Sequence, residues 1–301
     1  MSTVHAMGVS SPLVGSRQRL VDYLELAKPR VTGLVLLTVV AGFWVGLRSP
    51  AQWPTLIPLL LGTALAVGGA NTLNQWSERE ADGLMERTKS RPLPAGRLPA
   101  EEARRAGLVL SVVGVLILAL GVNLLTAWLT TFSIATYVLL YTPLKQRTTL
   151  CTLIGAVPGA LPPMIGWAGA RDALGIGAWA LFVMLFLWQL PHFLAIAVLY
   201  REDYTRAGFR MLPVGDTEGL ATARQTVLYG IALVPASVFP SLIGLAGPGY
   251  FYAALAVSLW FLAISLRAAL VRSVPAMQQL FRASVLYLPL LLGLLVWLKV
   301  R

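Results

Sequence analysis

The sequence predicts an all-α, polytopic membrane protein with nine transmembrane helices. Three observations carry this reading. Of 301 residues, 57% are hydrophobic and only 12% are charged, whereas a soluble domain carries about a quarter charged residues. The chain contains nine apolar runs near the roughly 20 residues that cross a bilayer as a helix. Its basic residues gather on alternate connections between those runs, as the positive-inside rule requires.

The runs follow in order. Val31–Leu47 comes directly after the basic cluster Lys28-Pro29-Arg30, and Pro54–Trp76 ends where the charged stretch "NQWSEREADGLMERTKSRP" (74–92) begins. Ala106–Val122 and Asn123–Tyr141 abut at Gly121-Val122-Asn123, so they are two spans joined by a very short turn. Leu150–Gly169 holds Pro158, Pro162 and Pro163. It is expected to be kinked, with neighbouring helices re-satisfying the backbone groups that proline frees. Leu174–Leu199 contains Pro191, and Gln225–Gly247, Gly249–Val271 and Ser284–Leu298 complete the set.

With the N-terminus inside, the inner segments hold 4, 7, 2, 4 and 3 of the Lys and Arg residues, 20 of the 24 in the chain. This sets an N-in, C-out topology and accounts for the net charge of +11 without nucleic acid as a partner. Acids do not obey that rule, yet Asp172 alone of 13 falls outside. The inner face is therefore the expected working face. The single cysteine, Cys151, excludes an internal disulfide and a cysteine metal cluster. Met1 to Ser16 lack the charged start and apolar core of a signal peptide. Residues 1–20 are read as a flexible N-terminal arm and 21–301 as one membrane domain.

The inner loops after the second and sixth spans are long. They share a hexamer, "RPLPAG" (91–96) and "RMLPVG" (210–215), four identities in six. Internal duplication and shared loop chemistry both account for it; under the first, two polar loops face one central cavity.

Asn74, Glu78 and Asp82 are spaced i, i+4, i+8, which places them on one stripe of a helix. They extend about 12 Å along its axis, too far to share one ion, so neighbouring pairs would each hold one or the helix would unwind at its end. Oxygen donors that lean on water and substrate phosphates suit Mg²⁺. Arg87, Lys89 and Arg91 follow, and acids with nearby bases suit a metal-bridged diphosphate. A solvated loop with weak ion pairs explains the charges alone. It does not explain Asn74 and Glu78 at the membrane end of an apolar helix, where unpaired polar groups are costly. Tyr141, Lys145 and Arg147 end the fourth span; they serve as interface anchors or as the second wall of an anion site. Gln189 and His192 lie inside the sixth span, followed by Glu202 and Asp203 at its edge as a candidate second metal position. His192 has three readings: iron ligand, proton carrier, or donor to a carbonyl freed by Pro191.

These motifs together resemble the UbiA superfamily of intramembrane prenyltransferases, and within it the haem-farnesylating branch. The likeness spans "AKPRVTGLVLLTVVAG" (27–42), the 74–92 stretch, "YTPLKQRTTLCTLIGAVPGALPPMIGW" (141–167) and "FLWQLPHFLAIAVLYREDYTRAGFRMLPV" (186–214). The superfamily's N-x-x-x-D-x-x-x-D motif falls on Asn74, Glu78 and Asp82, with Glu78 departing from aspartate. The resemblance implies nine helices around a central cavity open to the cytoplasmic side of the cell inner membrane. It implies transfer of farnesyl from farnesyl diphosphate to a vinyl group of haem B with addition of water, giving haem O on the route to haem A for terminal oxidases. Mg²⁺ is the implied cofactor, held by Asn74, Glu78 and Asp82. Lys145 joins them as catalytic. Arg87, Arg91, Tyr141, Arg147, His192, Glu202 and Asp203 are the implied substrate-binding residues. Lys28 and Arg30 are candidates for the haem propionates. Haem A synthase and oxidase assembly proteins are the implied protein partners, and the lipid bilayer the medium. The rivals are a UbiA-type enzyme acting on an aromatic or pigment acceptor and, from another class, an anion transporter. Transporters place their sites near the midplane, whereas these acids cluster at one face.

Overall fold

The computed structural model describes residues 15–300. Its helices are α1 (Ser16–Ala27), α2 (Pro29–Gly46), α3 (Leu56–Gly83), α4 (Ala100–Gly121), α5 (Leu124–Ala135), α6 (Thr142–Leu144) and α7 (Cys151–Arg171). They continue as α8 (Ile176–Leu199), α9 (Arg201–Arg206), α10 (Leu212–Gly215), α11 (Leu220–Leu242), α12 (Pro248–Val271) and α13 (Val274–Trp297). A 3₁₀ turn over Pro50–Thr55 leads into α3, and a π-helical turn over Thr136–Tyr141 joins α5 to α6. Among the described residues, nine helices are long and apolar enough to span a membrane, and no strand occurs beyond an isolated Ala246–Lys299 bridge. The protein is a multi-pass membrane protein.

The nine expected spans are all present, but several helices outrun their apolar stretch. α13 starts at Val274, well before Ser284, because Ser273 caps it by accepting from the Ala276 amide. Apolarity marks the part suited to lipid, whereas the hydrogen-bond ladder runs on until a cap or a turn stops it. Of the arm expected over 1–20, residues 1–14 lie outside the described residues, and 16–20 instead open α1. The short turn between α4 and α5 is as expected: Asn123 accepts from the Thr126 amide as N-cap. The helix holding three prolines runs unbroken from Cys151 to Arg171. Pro162 has no N–H to give to the Pro158 carbonyl, and Ser133 of α5 donates to that carbonyl instead, at 3.3 Å.

Without water between helices, close backbone packing must supply much of the cohesion. α2 and α7 meet through a reciprocal pair of glycines: a Cβ at Gly42 would collide with the Pro163 carbonyl, and one at Gly166 with the Val39 carbonyl. α3 and α4 approach in the same way through Gly62 and Gly69 facing Gly114 and Gly107. At the short-loop end, the last carbonyls of α2 are taken by cations. Arg171 donates to Gly46, and Lys299 to Trp44 and Leu47, favourable partners for a helix C-terminus.

The opposite end carries two long connections, residues 84–99 and 200–219, and there they pack on each other. Met85 from the first meets Tyr204, Ala207 and Phe209 from the second. α2, α3, α5, the π turn, α7 and α8 then enclose a central cavity whose polar pole lies at this end.

Gly42→Leu should lower the thermal unfolding midpoint in detergent, since overpacking costs about 1–3 kcal/mol. Gly33→Leu on the same helix, where a Cβ meets open space, should leave it unchanged. Equal effects would remove the α2–α7 glycine contact as a determinant of stability.

Candidate active site

The cavity has a volume of about 430 Å³. α3 supplies its polar spine. Asn74, Glu78 and Asp82 are all buried, all line the cavity, and lie on one stripe of a helix that stays wound through Gly83. The expected stripe is therefore present, and the helix does not unwind to reach it. Deeper along the same face come Asn71, Ala70, Val67 and Thr63. From Asn74 to Thr63 the wall descends about 16 Å at the helical rise, changing from amide and carboxylate to mostly apolar side chains.

Each acid has a basic neighbour. Glu78 Oε1 lies 2.7 Å from Lys145 Nζ, close enough for an ion pair but without hydrogen-bond alignment, and that oxygen has no hydrogen-bond partner. Asp82 Oδ2 accepts from Arg91 at 2.7 Å. Asn74 donates to Thr142 Oγ1 and accepts from Lys28 Nζ at 3.2 Å. The lining thus carries two carboxylates, Glu78 and Asp82, against four cations, Lys28, Arg87, Arg91 and Lys145. Two basic side chains, Lys28 and Arg87, remain without a carboxylate, so the pole favours an anion.

Three local devices hold these groups. The π turn over Thr136–Tyr141 shifts register before the last turn of the span, and π turns recur at functional sites. Tyr141 then packs over Gly155, where a Cβ would collide with its ring. Lys145 sits 4.6 Å above the Tyr141 ring and 5.5 Å from that of Phe209. Asp203 accepts from the Glu86 and Arg87 amides and pairs with Arg206, so it fixes the backbone that presents Arg87. The Arg87 guanidinium lies over the Tyr200 ring at 4.8 Å.

Lys28 owes its place to a helix break. A residue before proline is disfavoured in the helical region, and Lys28 adopts the left-handed conformation, φ 50, between α1 and α2. Gln75 donates to the Leu26 carbonyl at 2.8 Å, and Asn71 and Thr32 donate to that of Ala27, pinning the break to α3. Desolvation, with the Arg91 and Lys145 charges, pushes the Lys28 ammonium down to about 7. Lys145 moves the other way: its desolvation alone would lower it, but the Glu78 carboxylate beside it raises it.

Several expected site residues stand elsewhere. Arg147 is exposed and outside the cavity, because two residues beyond Lys145 it points from the opposite side. Glu202 is exposed, and both Asp203 oxygens are occupied, so neither lines the cavity as a second metal position. His192 faces α13 rather than the cavity: its Nδ1 is 2.7 Å from Ser284 Oγ. Arg30 is exposed, whereas Lys28 joins the anion pole instead of a separate propionate site. Phe209, Met211, Tyr137 and Tyr204 line the cavity without having been singled out. Only folding of the second loop over the first brings Phe209 and Met211 there. Among the described residues no three His, Cys, Asp or Glu side chains converge on one metal position. An ion held here would complete its coordination with amide oxygens, water or substrate oxygens.

The UbiA prenyltransferase family profile matches residues 35–296. The chain belongs to the UbiA prenyltransferase family. It is an enzyme of the prenyltransferase class, and the cavity is its candidate active site. It is 48% identical over 283 residues to a protein named protoheme IX farnesyltransferase from Solibacter usitatus, covering 91% of this chain and 97% of the relative. A protein of the same name from Salinibacter ruber is 44% identical over 274 residues, covering 91% and 97%. Solved structures show the same fold at low identity. A digeranylgeranylglyceryl phosphate synthase matches with a TM-score of 0.77 at 15% identity over 93% of this chain and 98% of that one. A UbiA homologue from Archaeoglobus fulgidus, bound to DMAPP and Mg²⁺, matches at 0.66 and 17% over 91% and 99%.

In this UbiA site the loop bearing Arg87 and Arg91 is tied to α1 by Arg97, which donates to Asp22, Glu25 and the Ser90 carbonyl at 2.8, 2.7 and 2.6 Å. Asp22 is fully buried. Arg97→Ala should destabilise the fold by roughly 1–3 kcal/mol by leaving that carboxylate unpaired, and Asp22→Asn in the same chain should recover part of the loss. Thermal unfolding of the double-mutant cycle checks this; strict additivity would show that the pair does not hold the loop.

Proposed function

We propose that this UbiA enzyme transfers the farnesyl group of farnesyl diphosphate to a vinyl group of haem B, with addition of water, giving haem O and diphosphate. The observation that carries the reading is a cation-rich pole directly above an apolar groove in one cavity. Relatives named protoheme IX farnesyltransferase, 41–48% identical over most of the chain, supply the substrate pair.

The diphosphate meets Lys28, Arg87, Arg91 and Lys145, where the lining has its positive excess. Cleavage of the allylic C–O bond leaves the electron pair on the diphosphate, and these fixed cations stabilise that charge as it develops. Mg²⁺ fits the same pole on the chemistry of its donors: carboxylate and amide oxygens only, all three side chains buried in the cavity lining. Glu78 and Asp82 would hold it, with the Asn74 carbonyl oxygen beside them. When bound it supplies Lewis-acid charge stabilisation to the leaving group.

The isoprenoid tail runs down the groove between Val31 and Val35 of α2 and Val67 and Thr63 of α3, with Ile134 and Ile165 opposite. Burial of its apolar surface provides the binding energy. Tyr137, Tyr141 and Phe193 line the cavity between the walls, keeping water from the allylic cation and offering ring electrons to it. The haem vinyl attacks that cation, forming the new C–C bond, and water adds to the resulting carbocation and loses a proton to give the hydroxyl. The positive-inside distribution of Lys and Arg supports a cytoplasmic long-loop end and an outer C-terminus; in that orientation the diphosphate reaches its pole from the cytoplasmic side of the inner membrane.

The test is mass spectrometry of haem recovered after incubation of the purified protein with haem B, farnesyl diphosphate and Mg²⁺. The expected product is heavier by one farnesyl group and one hydroxyl and is absent with EDTA. Unmodified haem, with prenylation of an aromatic acceptor in a parallel incubation, would overturn the acceptor assignment. Asp82→Asn should lower turnover at least about 100-fold while the protein retains its size-exclusion profile; undiminished turnover would remove the acid stripe from the mechanism.

A further inference from the structure

Gln189 lies in α8 and is almost fully buried, yet its amide meets the cavity. The amide nitrogen donates to the Leu185 carbonyl at 3.0 Å and to the Ala156 carbonyl of α7 at 3.4 Å. Both partners are acceptors only, so the nitrogen faces them and the amide oxygen faces the other way. That oxygen, Oε1, sits over Gly159, where a Cβ would collide with it. Gly159 lines the cavity and is the only exposed residue of α7. Oε1 therefore borders open space, and it has no hydrogen-bond partner among the described residues.

An uncommitted acceptor inside a membrane-spanning helix is costly, and backbone repair does not account for this one. The prolines of α7 and α8 free the carbonyls of Ile154, Pro158, Gly159 and Leu187, none of which Gln189 meets. Other polar side chains of the lining are engaged locally. Ser133 donates to the Pro158 carbonyl and Thr130 to that of Thr126. Asn71 is tied to the Ala27 carbonyl beside Lys28, on the diphosphate wall. The depth of Gln189 follows from contacts. Lys145, paired with Glu78, lies over the Tyr141 ring, and that ring packs on Gly155. Gly159 is one turn further along α7, about 6 Å. Oε1 thus lies one turn below the cation pole, at the level where the allylic carbon of a diphosphate held in that pole comes to rest.

We propose that Gln189 Oε1 holds the water that adds to the haem-side carbocation, so that Gln189 decides whether the product carries a hydroxyl. This rests on the farnesylation of haem B proposed above. The terminal vinyl carbon bonds to the allylic carbon, which leaves the positive charge on the vinyl carbon next to the macrocycle. Oε1 accepts a hydrogen bond from the water, whose oxygen lone pair forms the new C–O bond. An amide is too weak a base to keep a proton, so the oxonium proton passes to the diphosphate that the first step released. Without a held water, the cation instead loses a proton from its neighbouring CH₂ and closes to an alkene.

The experiment is mass spectrometry of haem products from the purified full-length protein with haem B, farnesyl diphosphate and Mg²⁺. The wild type should yield the hydroxylated product. Gln189→Leu, close in size and without the acceptor, should still form the C–C bond but release a product lighter by one water. The ratio of dehydrated to hydroxylated product should rise about tenfold or more. Gly159→Ala, whose methyl displaces Oε1, should shift the ratio in the same direction. A ratio of two products does not depend on how much protein is folded, so a merely structural role would not move it. Wild-type ratios in both variants sink the water role but not the reaction. Loss of all product from a Gln189→Leu protein that keeps its size-exclusion profile would place Gln189 before C–C bond formation and overturn the proposal. A wild type that leaves haem unmodified overturns the acceptor reading and the water role with it.

Discussion

Charge compensation inside an apolar shell is the constraint on which the rest of this molecule depends. A carboxylate buried beside lipid-facing helices is tolerable only with a cation or a metal near it. Glu78 has Lys145 and Asp82 has Arg91. Those cations come from different segments, so satisfying the acids of α3 draws the end of the fourth span and the following loop over one helix terminus. The remaining cations, Lys28 and Arg87, have no acid in the lining. The fold thus assembles a positive pole that a polyanion completes.

The supports around that pole are polar contacts between backbone breaks and side chains. Asn71 and Gln75 hold the break before α2, Asp203 holds the Arg87 backbone, and the Lys145 carbonyl accepts from the Arg210 amide. Each joins two elements distant in sequence, so the pole is rigid because its walls are tied to one another. A preorganised cation set stabilises a leaving diphosphate better than flexible lysines would, since it needs little rearrangement as charge moves. Below it, glycine contacts between α2 and α7 and between α3 and α4 fix how wide the groove can be.

The two polar clusters in the spans obey different rules. The α3 stripe faces inward and meets cations. The α8 cluster divides: Gln189 points to the cavity, where Gly159 makes room for its amide, whereas His192 turns to α13. Three residues of separation leave two side chains only about 60° apart around a helix, so the boundary between the cavity wall and the α13 contact runs between Gln189 and His192.

Much of this was legible from sequence because it follows from local periodicity. Apolar runs of spanning length need only counting, and nine helices follow. The i, i+4, i+8 spacing of Asn74, Glu78 and Asp82 puts them on one face whatever packs against it. Helix ends were less legible, because caps such as Ser273 and not hydropathy stop a helix. What needed the tertiary structure is which faces meet. Lys28 joins the site because α3 side chains pin the break before Pro29, and Phe209 because one loop folds over another. Arg147, in the turn after α6, and Glu202 and His192, on α9 and α8, carry suitable chemistry but face away from the cavity. Residue type and spacing follow from the chain alone; convergence is a property of packing, in which glycine contacts and buried ion pairs choose among the faces the sequence offers.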